Sequence, residues 1–370
     1  MVRVNFRTPS GRNMAAIGKS DSIAKTGLWC VAVLFVAADP GPLSLSASGR
    51  WVLMSDGQPA PSDDFLRGLQ TSGLAWDGKL LWSVGDQRSA FPGHLFAIDA
   101  QTARLVRMPI ALTAERDEIR RRLKAWGRID LEGIELLSRD DRRFVVLVED
   151  DATAAMVVRV DERGTQATVE AIWEFQFPGG REPVPYRDDP NYRLEGITID
   201  SRSSRGYVAF ERDAAGSPHL YRFDLHRAPA AGIGPVPLEP VPFDNWDQIA
   251  GKPGALLNVN GLELTHTASG SPRLIVLCRD RELFFVLDPD SGKMIGQVAL
   301  NLKTPAGEAI EWVSPEGIAV DSERGVVYII SDPDSTDGNW RLRSTPHATG
   351  MFAEYVPLLF ELKIPSELLR

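Results

Sequence analysis

Three glutamates recur at regular intervals, each directly before a glycine: Glu132, Glu195 and Glu316. Ser72 and Asn260 hold the same place in two further copies of the theme. The copies are Thr71-Ser72-Gly73-Leu74-Ala75, Leu131-Glu132-Gly133-Ile134-Glu135, Leu194-Glu195-Gly196-Ile197-Thr198, Val259-Asn260-Gly261-Leu262-Glu263 and Pro315-Glu316-Gly317-Ile318-Ala319, at steps of 60, 63, 65 and 56 residues. A second apolar run follows each copy and ends in charge: at Asp86, at Glu149 and Asp150, at Glu211, at Arg279 and Asp280, and at Asp332. In an antiparallel hairpin the start of the first run lies beside the end of the second. Ser72 then neighbours Asp86, Glu132 neighbours Glu149 and Asp150, Glu195 neighbours Glu211, Asn260 neighbours Arg279 and Asp280, and Glu316 neighbours Asp332.

Acids within about 4–6 Å of one another cannot all stay ionised without raised pKa values or a cation. An oxygen-only set of Asp, Glu and Asn suits a hard ion, and its looseness favours Ca²⁺ over Mg²⁺. The candidate metal ligands are Glu132, Glu149, Glu195, Glu211, Asn260, Glu316 and Asp332. With no Cys and few His among them, zinc is not expected. Ser72, Asp86, Arg212 and Arg279 are the candidate ligand contacts. A purely structural role fits the same acids, which could accept backbone N–H bonds or pair with Arg88, Arg212, Arg279 or Arg281. His94 and His219 both stand eight residues beyond their acids, Asp86 and Glu211. Either could act with Glu195 as a general base at neutral pH, although repeat ancestry also leaves matched histidines.

Short alternating strands must carry these residues. Four strand candidates occur in most repeats, as in Glu132–Leu137, Phe144–Val148, Met156–Asp161 and Thr168–Phe177. Clusters such as Asp77-Gly78 and Asp321-Ser322-Glu323-Arg324-Gly325 supply the turns between them. A four-stranded meander repeated in this way is a blade, so the chain is expected to be an all-β protein with a single β-propeller. The count gives five blades, or six if the Pro-rich stretch that swallows the fourth strand of the third repeat hides another. The last repeat lacks its outer strand, and Gly49–Met54 is placed to fill the gap and close the ring. Insertions are expected near 111–129, where a charged helix opens at Thr113 and stops at Gly127, and near 226–258 and 333–356. The 226–258 stretch reads as an extended excursion.

The 370 residues are 43% hydrophobic and 25% charged, ordinary for a globular chain. A net charge of −9 without a basic stripe argues against nucleic acid as a partner. Residues 1–38 differ in kind. Arg3, Arg7, Arg12, Lys19 and Lys25 precede an apolar stretch from Gly27 to Ala38, the pattern of a signal peptide or N-terminal anchor and too short for a comfortable span. Residues 39–370 are then the propeller, periplasmic or secreted, monomeric, and taking a small-molecule or envelope ligand. Its net charge without the leader would be −13, since five positives and one negative leave. Of the two cysteines, Cys30 lies in the leader, so Cys278 has no intrachain partner.

The ordered motifs resemble the SdiA-regulated family of exported bacterial β-propellers over roughly 72–363. They are Ser72-Gly73-Leu74, Asp130-Leu131-Glu132-Gly133-Ile134, Leu194-Glu195-Gly196-Ile197 with Phe210-Glu211-Arg212, Gly261-Leu262 with Leu274-Ile275-Val276-Leu277, and Pro315-Glu316-Gly317-Ile318-Ala319 with Tyr328-Ile329-Ile330-Ser331-Asp332. That resemblance implies a periplasmic or envelope propeller that binds Ca²⁺, and the acidic residues gathered at one end of the blades point to a ligand-binding or scaffold protein. The chain is similar, at greater distance, to the phytase-like propellers with esterase-like activity. They imply the alternative, a metal-dependent esterase, phosphoesterase or lactonase in which Glu132, Glu195 or Glu316 takes the proton. The fourth repeat departs from the pattern with Asn260 in place of Glu and Arg279 in place of an acid. The expected mouth also has little lysine, so phytate hydrolysis is not expected.

Overall fold

The chain enters through three short strands, β1 (Leu43–Ser48), β2 (Arg50–Trp51) and β3 (Leu53–Met54). The computed structural model describes residues 43–54, 69–332 and 356–369, except 88, 90, 128, 149–152, 190–191, 244–245, 247–248, 250–256 and 311–312. The first repeat folds into β4 (Thr71–Trp76), β5 (Leu80–Gly85), β6 (His94–Asp99), β7 (Arg104–Leu105) and β8 (Ile110–Thr113). Helix α1 (Asp117–Trp126) leads to the second repeat, β9 (Leu131–Ser138), β10 (Arg143–Val148), β11 (Ala154–Val160) and β12 (Ala167–Gln176). The third has β13 (Leu194–Asp200), β14 (Arg205–Phe210) and β15 (His219–Asp224), followed by β16 (Gly232–Pro237) and β17 (Glu239–Pro240). The fourth has β18 (Gly261–His266), β19 (Pro272–Cys278), β20 (Leu283–Leu287) and β21 (Met294–Lys303). The fifth has β22 (Pro315–Asp321), β23 (Val326–Ser331) and β24 (Leu358–Lys363). Within each repeat the strands pair antiparallel in chain order, except that β7 and β8 both pair with β6 and β17 pairs with β15, and the whole is a β-propeller.

Period-two alternation on the middle strands explains why the sheets close into a ring. Leu81 and Trp82 are adjacent on β5 yet belong to different apolar clusters, one shared with Tyr328 and Ile330 of the fifth repeat, the other with Phe144 and Val146 of the second. Val145 and Val146, Tyr207 and Val208, Ile275 and Val276, and Val327 and Tyr328 split in the same way. Every neighbouring pair of repeats therefore shares one apolar seam, and the fifth returns to the first. Each fully buried Leu, Ile or Phe in a seam contributes about 1.5–3 kcal/mol.

The theme glycine sits where the inner strands come closest. A Cβ on Gly133 would lie 2.8 Å from the Glu195 carbonyl oxygen, one on Gly196 2.9 Å from the Leu262 nitrogen, and one on Gly317 2.6 Å from the Gly73 carbonyl carbon. The glycine of the theme is thus required by backbone packing around the axis. Gly317→Ala should cost about 1–3 kcal/mol, because the atom it meets is main chain and cannot rotate away; urea unfolding measures this.

The entering segment ties three repeats together. Strand β1 pairs parallel with β21, β2 pairs antiparallel with β24, and β3 pairs parallel with β7. The expected closing strand at Gly49–Met54 therefore splits at Val52, and only Arg50–Trp51 supplies the missing outer strand of the fifth repeat. The Pro-rich stretch also differs from expectation. It contributes β17 as a short fourth strand of the third repeat, and β16 adds to the edge of the second by parallel pairing with β12. Proline is tolerated on such an edge. Helix α1 begins at Asp117 rather than Thr113, which ends β8 and donates its hydroxyl to the Ala167 carbonyl at 3.0 Å. Gly127, with φ +73°, stops the helix as expected. The leader 1–38, Arg88, Glu149, Asp150, most of the 333–356 insertion and part of 226–258 lie outside the described residues.

Candidate functional site

The theme acids occupy β-bulges. On β13, Leu194 faces Phe210 and Gly196 faces Ala209, which leaves Glu195 as the extra residue. On β22, Pro315 faces Ser331 and Gly317 faces Ile330, which leaves Glu316. The register of β9 also slips there, between the Leu131–Val148 and Ile134–Val146 pairs. A bulge re-aims its side chain out of the regular alternation, and all three glutamates are buried. In the first repeat the Ser83 hydroxyl meets the loosened carbonyls of Ser72 and Gly73 at 2.7 and 2.9 Å.

Two groups of contacts join these side chains across repeats. In the first, Ser72 donates its hydroxyl to Glu132 Oε2 at 2.5 Å, and Asp130 accepts the Gln87 backbone and side-chain N–H groups at 2.9 and 2.7 Å. Burial, then the charges of Glu195, Asp130 and Asp86, hold the Glu132 carboxyl well above its usual range. In the second, Arg279 donates Nη1 to Glu316 Oε1 and Nη2 to Glu211 Oε1, the latter at 3.2 Å. Asn258 donates to the same Glu211 oxygen, and Ser314 to the same Glu316 oxygen at 3.3 Å. Arg212 lies 3.8 Å from Glu211 and 3.7 Å from Asp280, with its guanidinium 4.5 Å from the Tyr192 ring and 4.9 Å from the Tyr186 ring. Burial pushes Glu211 up to about 8 against the pull of Arg279 and Arg212. It raises Glu316 as well. Burial disfavours the Arg279 charge, but Glu316, Glu211 and Glu195 hold it protonated well above its ordinary range.

Several polar atoms here are buried without a hydrogen-bond partner among the described residues: Glu211 Oε2, Glu316 Oε2, Asn258 Oδ1 and both polar atoms of the Asn260 and Gln70 amides. None of the five residues is more than 3% exposed. Asp86 stands beside Gln70 through an N–H bond to its carbonyl at 3.2 Å, and its charge reaches both Glu132 and Glu316. Asp332 stands beside Ser314 in the same way at 3.0 Å. The histidines are placed differently. His94 Nδ1 lies 2.9 Å from the Pro92 carbonyl, and His219 Nε2 lies 2.8 Å from Asp213, so neither is joined to a theme acid by these bonds.

The calcium expectation can be tested on these side chains. Among the described residues no three His, Cys, Asp or Glu side chains group as a ligand set, and the guanidinium of Arg279 already engages one oxygen each of Glu211 and Glu316. A cation that takes six to eight oxygens does not fit the described set.

A second acidic layer was missed in the sequence. Glu135 and Glu263 hold the fifth place of the theme and are buried. Glu135 accepts from the Thr198 hydroxyl at 2.8 Å and from the Leu136 N–H at 2.6 Å. Burial pushes Glu135 up to about 7, and burial with the Glu135 charge raises Glu263 well above its usual range. The signal was present in the repeat, where Glu recurs at that place. Strict alternation hides it on β9, where a bulge between the second and fifth places lets both Glu132 and Glu135 turn inward.

The chain is similar to several solved structures at low identity. A calcium-binding protein, regucalcin, from Agrobacterium tumefaciens str. C58 is 13% identical, with 87% of this chain and 97% of that one covered and a TM-score of 0.44. A luciferin-regenerating enzyme is 10% identical over 82% and 94%, with a TM-score of 0.41. The Cps50 (Swd1) β-propeller domain of Myceliophteria thermophila is 11% identical over 78% and 82%, with a TM-score of 0.34. No curated protein sequence matches the chain. Residues 89–335, well over half the length and including four of the five glycine themes, match the family described as SdiA-regulated, and the chain belongs to that family.

Proposed function

We propose that this protein is an envelope or exported propeller that binds a small ligand at its acidic mouth. The observation that carries the reading is the set of buried, unpartnered polar atoms on Glu211, Glu316, Asn258, Asn260 and Gln70. Each such atom costs about 1–3 kcal/mol when unpaired, so a molecule that supplies partners is favoured. Arg279 holds two of these side chains in place from the fourth repeat, which pre-organises them. The export half of the reading rests on the basic leader and the family. No helix among the described residues is long and apolar enough to cross a membrane. The hydrolase alternative is less well supported, because His94 and His219 make their bonds away from the theme acids.

A thermal-shift panel tests the binding reading. Calcium chloride, amines, neutral sugars, carboxylates and inorganic phosphate should each be added to the full chain and to Glu316→Gln. At least one class should raise the unfolding midpoint of the parent and not that of the variant. Silence across the panel would overturn the reading.

A further inference from the structure

We propose that the mouth accepts a primary ammonium group, held by Glu211 Oε2, Glu316 Oε2 and the side-chain carbonyls of Asn258 and Asn260. This rests on the binding reading above and narrows it to one ligand chemistry. The four oxygens belong to residues at most 3% exposed and lack partners among the described residues. They outnumber the unpartnered donors here, which are Asn260 Nδ2, Gln70 Nε2 and Arg212 Nε.

The mouth already holds one organic cation of its own. Arg279 uses a single oxygen of Glu211 and a single oxygen of Glu316, which leaves the second oxygen of each for another donor. An ammonium offers three N–H donors and forms charge-assisted bonds of about 2.7–2.9 Å without needing a closed shell of ligands. That is the property in which it differs from a divalent ion. Carboxylates also outnumber guanidinium groups among the described residues here: Glu132, Glu195, Glu211 and Glu316 against Arg212 and Arg279. Tyr186 and Tyr192 present their rings to the Arg212 guanidinium at the same place, and aromatic faces favour organic cations.

The test compares methylammonium and butylammonium chloride with tetramethylammonium and sodium chloride at equal ionic strength, on the full chain. The two primary amines should raise the unfolding midpoint by about 2 °C at ten times their dissociation constant. Tetramethylammonium carries the charge but no N–H donor and should leave it unmoved. Glu316→Gln and Asn260→Leu should lose the response. If either variant fails to fold, the comparison between methylammonium and tetramethylammonium on the parent chain decides alone. Equal responses to those two, or no response to the amines, would overturn the inference. If the amines are silent while another class shifts the parent but not Glu316→Gln, the ammonium inference falls and the binding reading stands. If nothing shifts, both fall.

Discussion

Replacing Arg279 with methionine should lower the unfolding free energy by about 3–5 kcal/mol at pH 8, the cost of leaving buried charges without their partner. Arg279 is bonded to Glu211 and to Glu316, and both carboxyls are almost wholly buried. An exposed ion pair would contribute at most about 1 kcal/mol, so urea unfolding distinguishes the two situations by a wide margin. The deficit should grow above about pH 8, where Glu211 ionises beside Arg279 in the parent while the orphaned carboxyl, pushed up further, stays protonated in the variant. Adding Glu211→Gln and Glu316→Gln to the variant should restore most of the loss at pH 8. A loss under about 1 kcal/mol in the single variant would mean that solvent, not Arg279, balances the ring.

Glu135→Gln should make the protein relatively more stable as pH rises. The folded state raises the Glu135 pKa from 4.5 to about 7 through burial. A carboxyl whose folded pKa lies above its unfolded value contributes its full stability below pH 4.5 and loses it progressively up to about pH 7. The loss amounts to about 3 kcal/mol for a shift of this size. Glutamine does not titrate, so the stability difference between variant and parent should change by about 3 kcal/mol between pH 4.5 and pH 8, in the variant's favour at pH 8. A hydrogen bond lost with the substituted oxygen would subtract about 1 kcal/mol at both ends and leave the difference intact. Guanidinium unfolding across that window is the measurement. A flat difference would show that Glu135 titrates as an exposed acid. Glu263, which feels the Glu135 charge, should show a smaller shift in the variant background.

Strand positions were legible where apolar alternation and turn residues agreed. The expected Glu132–Leu137, Phe144–Val148, Met156–Asp161 and Thr168–Phe177 lie within about two residues of the bounds of β9, β10, β11 and β12. Gly232–Pro237 was not legible, because its pairing with β12 is decided by an open edge in another repeat and its composition reads as loop. Thr113 has the chemistry of a helix cap, yet pairing beside Thr168 draws it into β8. At the site, the gathering of Ser72, Asp86, Glu132, Glu211, Arg279 and Glu316 follows from hairpin geometry applied to the repeats. The hub role of Arg279 does not. An acid-for-arginine exchange in one repeat reads equally as drift until the distances to the third and fifth repeats are known. The inward turn of Glu135 follows a bulge in β9, which leaves no mark on hydrophobic periodicity.

The threefold tie made by β1, β2 and β3 has a consequence for biosynthesis. Leu43–Met54 is synthesised long before β24, against which Arg50–Trp51 docks. The circle cannot be sealed until β24 has been made, and a product that stops short of it carries bare strand edges. Such edges invite pairing with other chains. Closure of this ring therefore waits on its fifth repeat, and β1, β2 and β3 find all their partners only after the intervening repeats have been made.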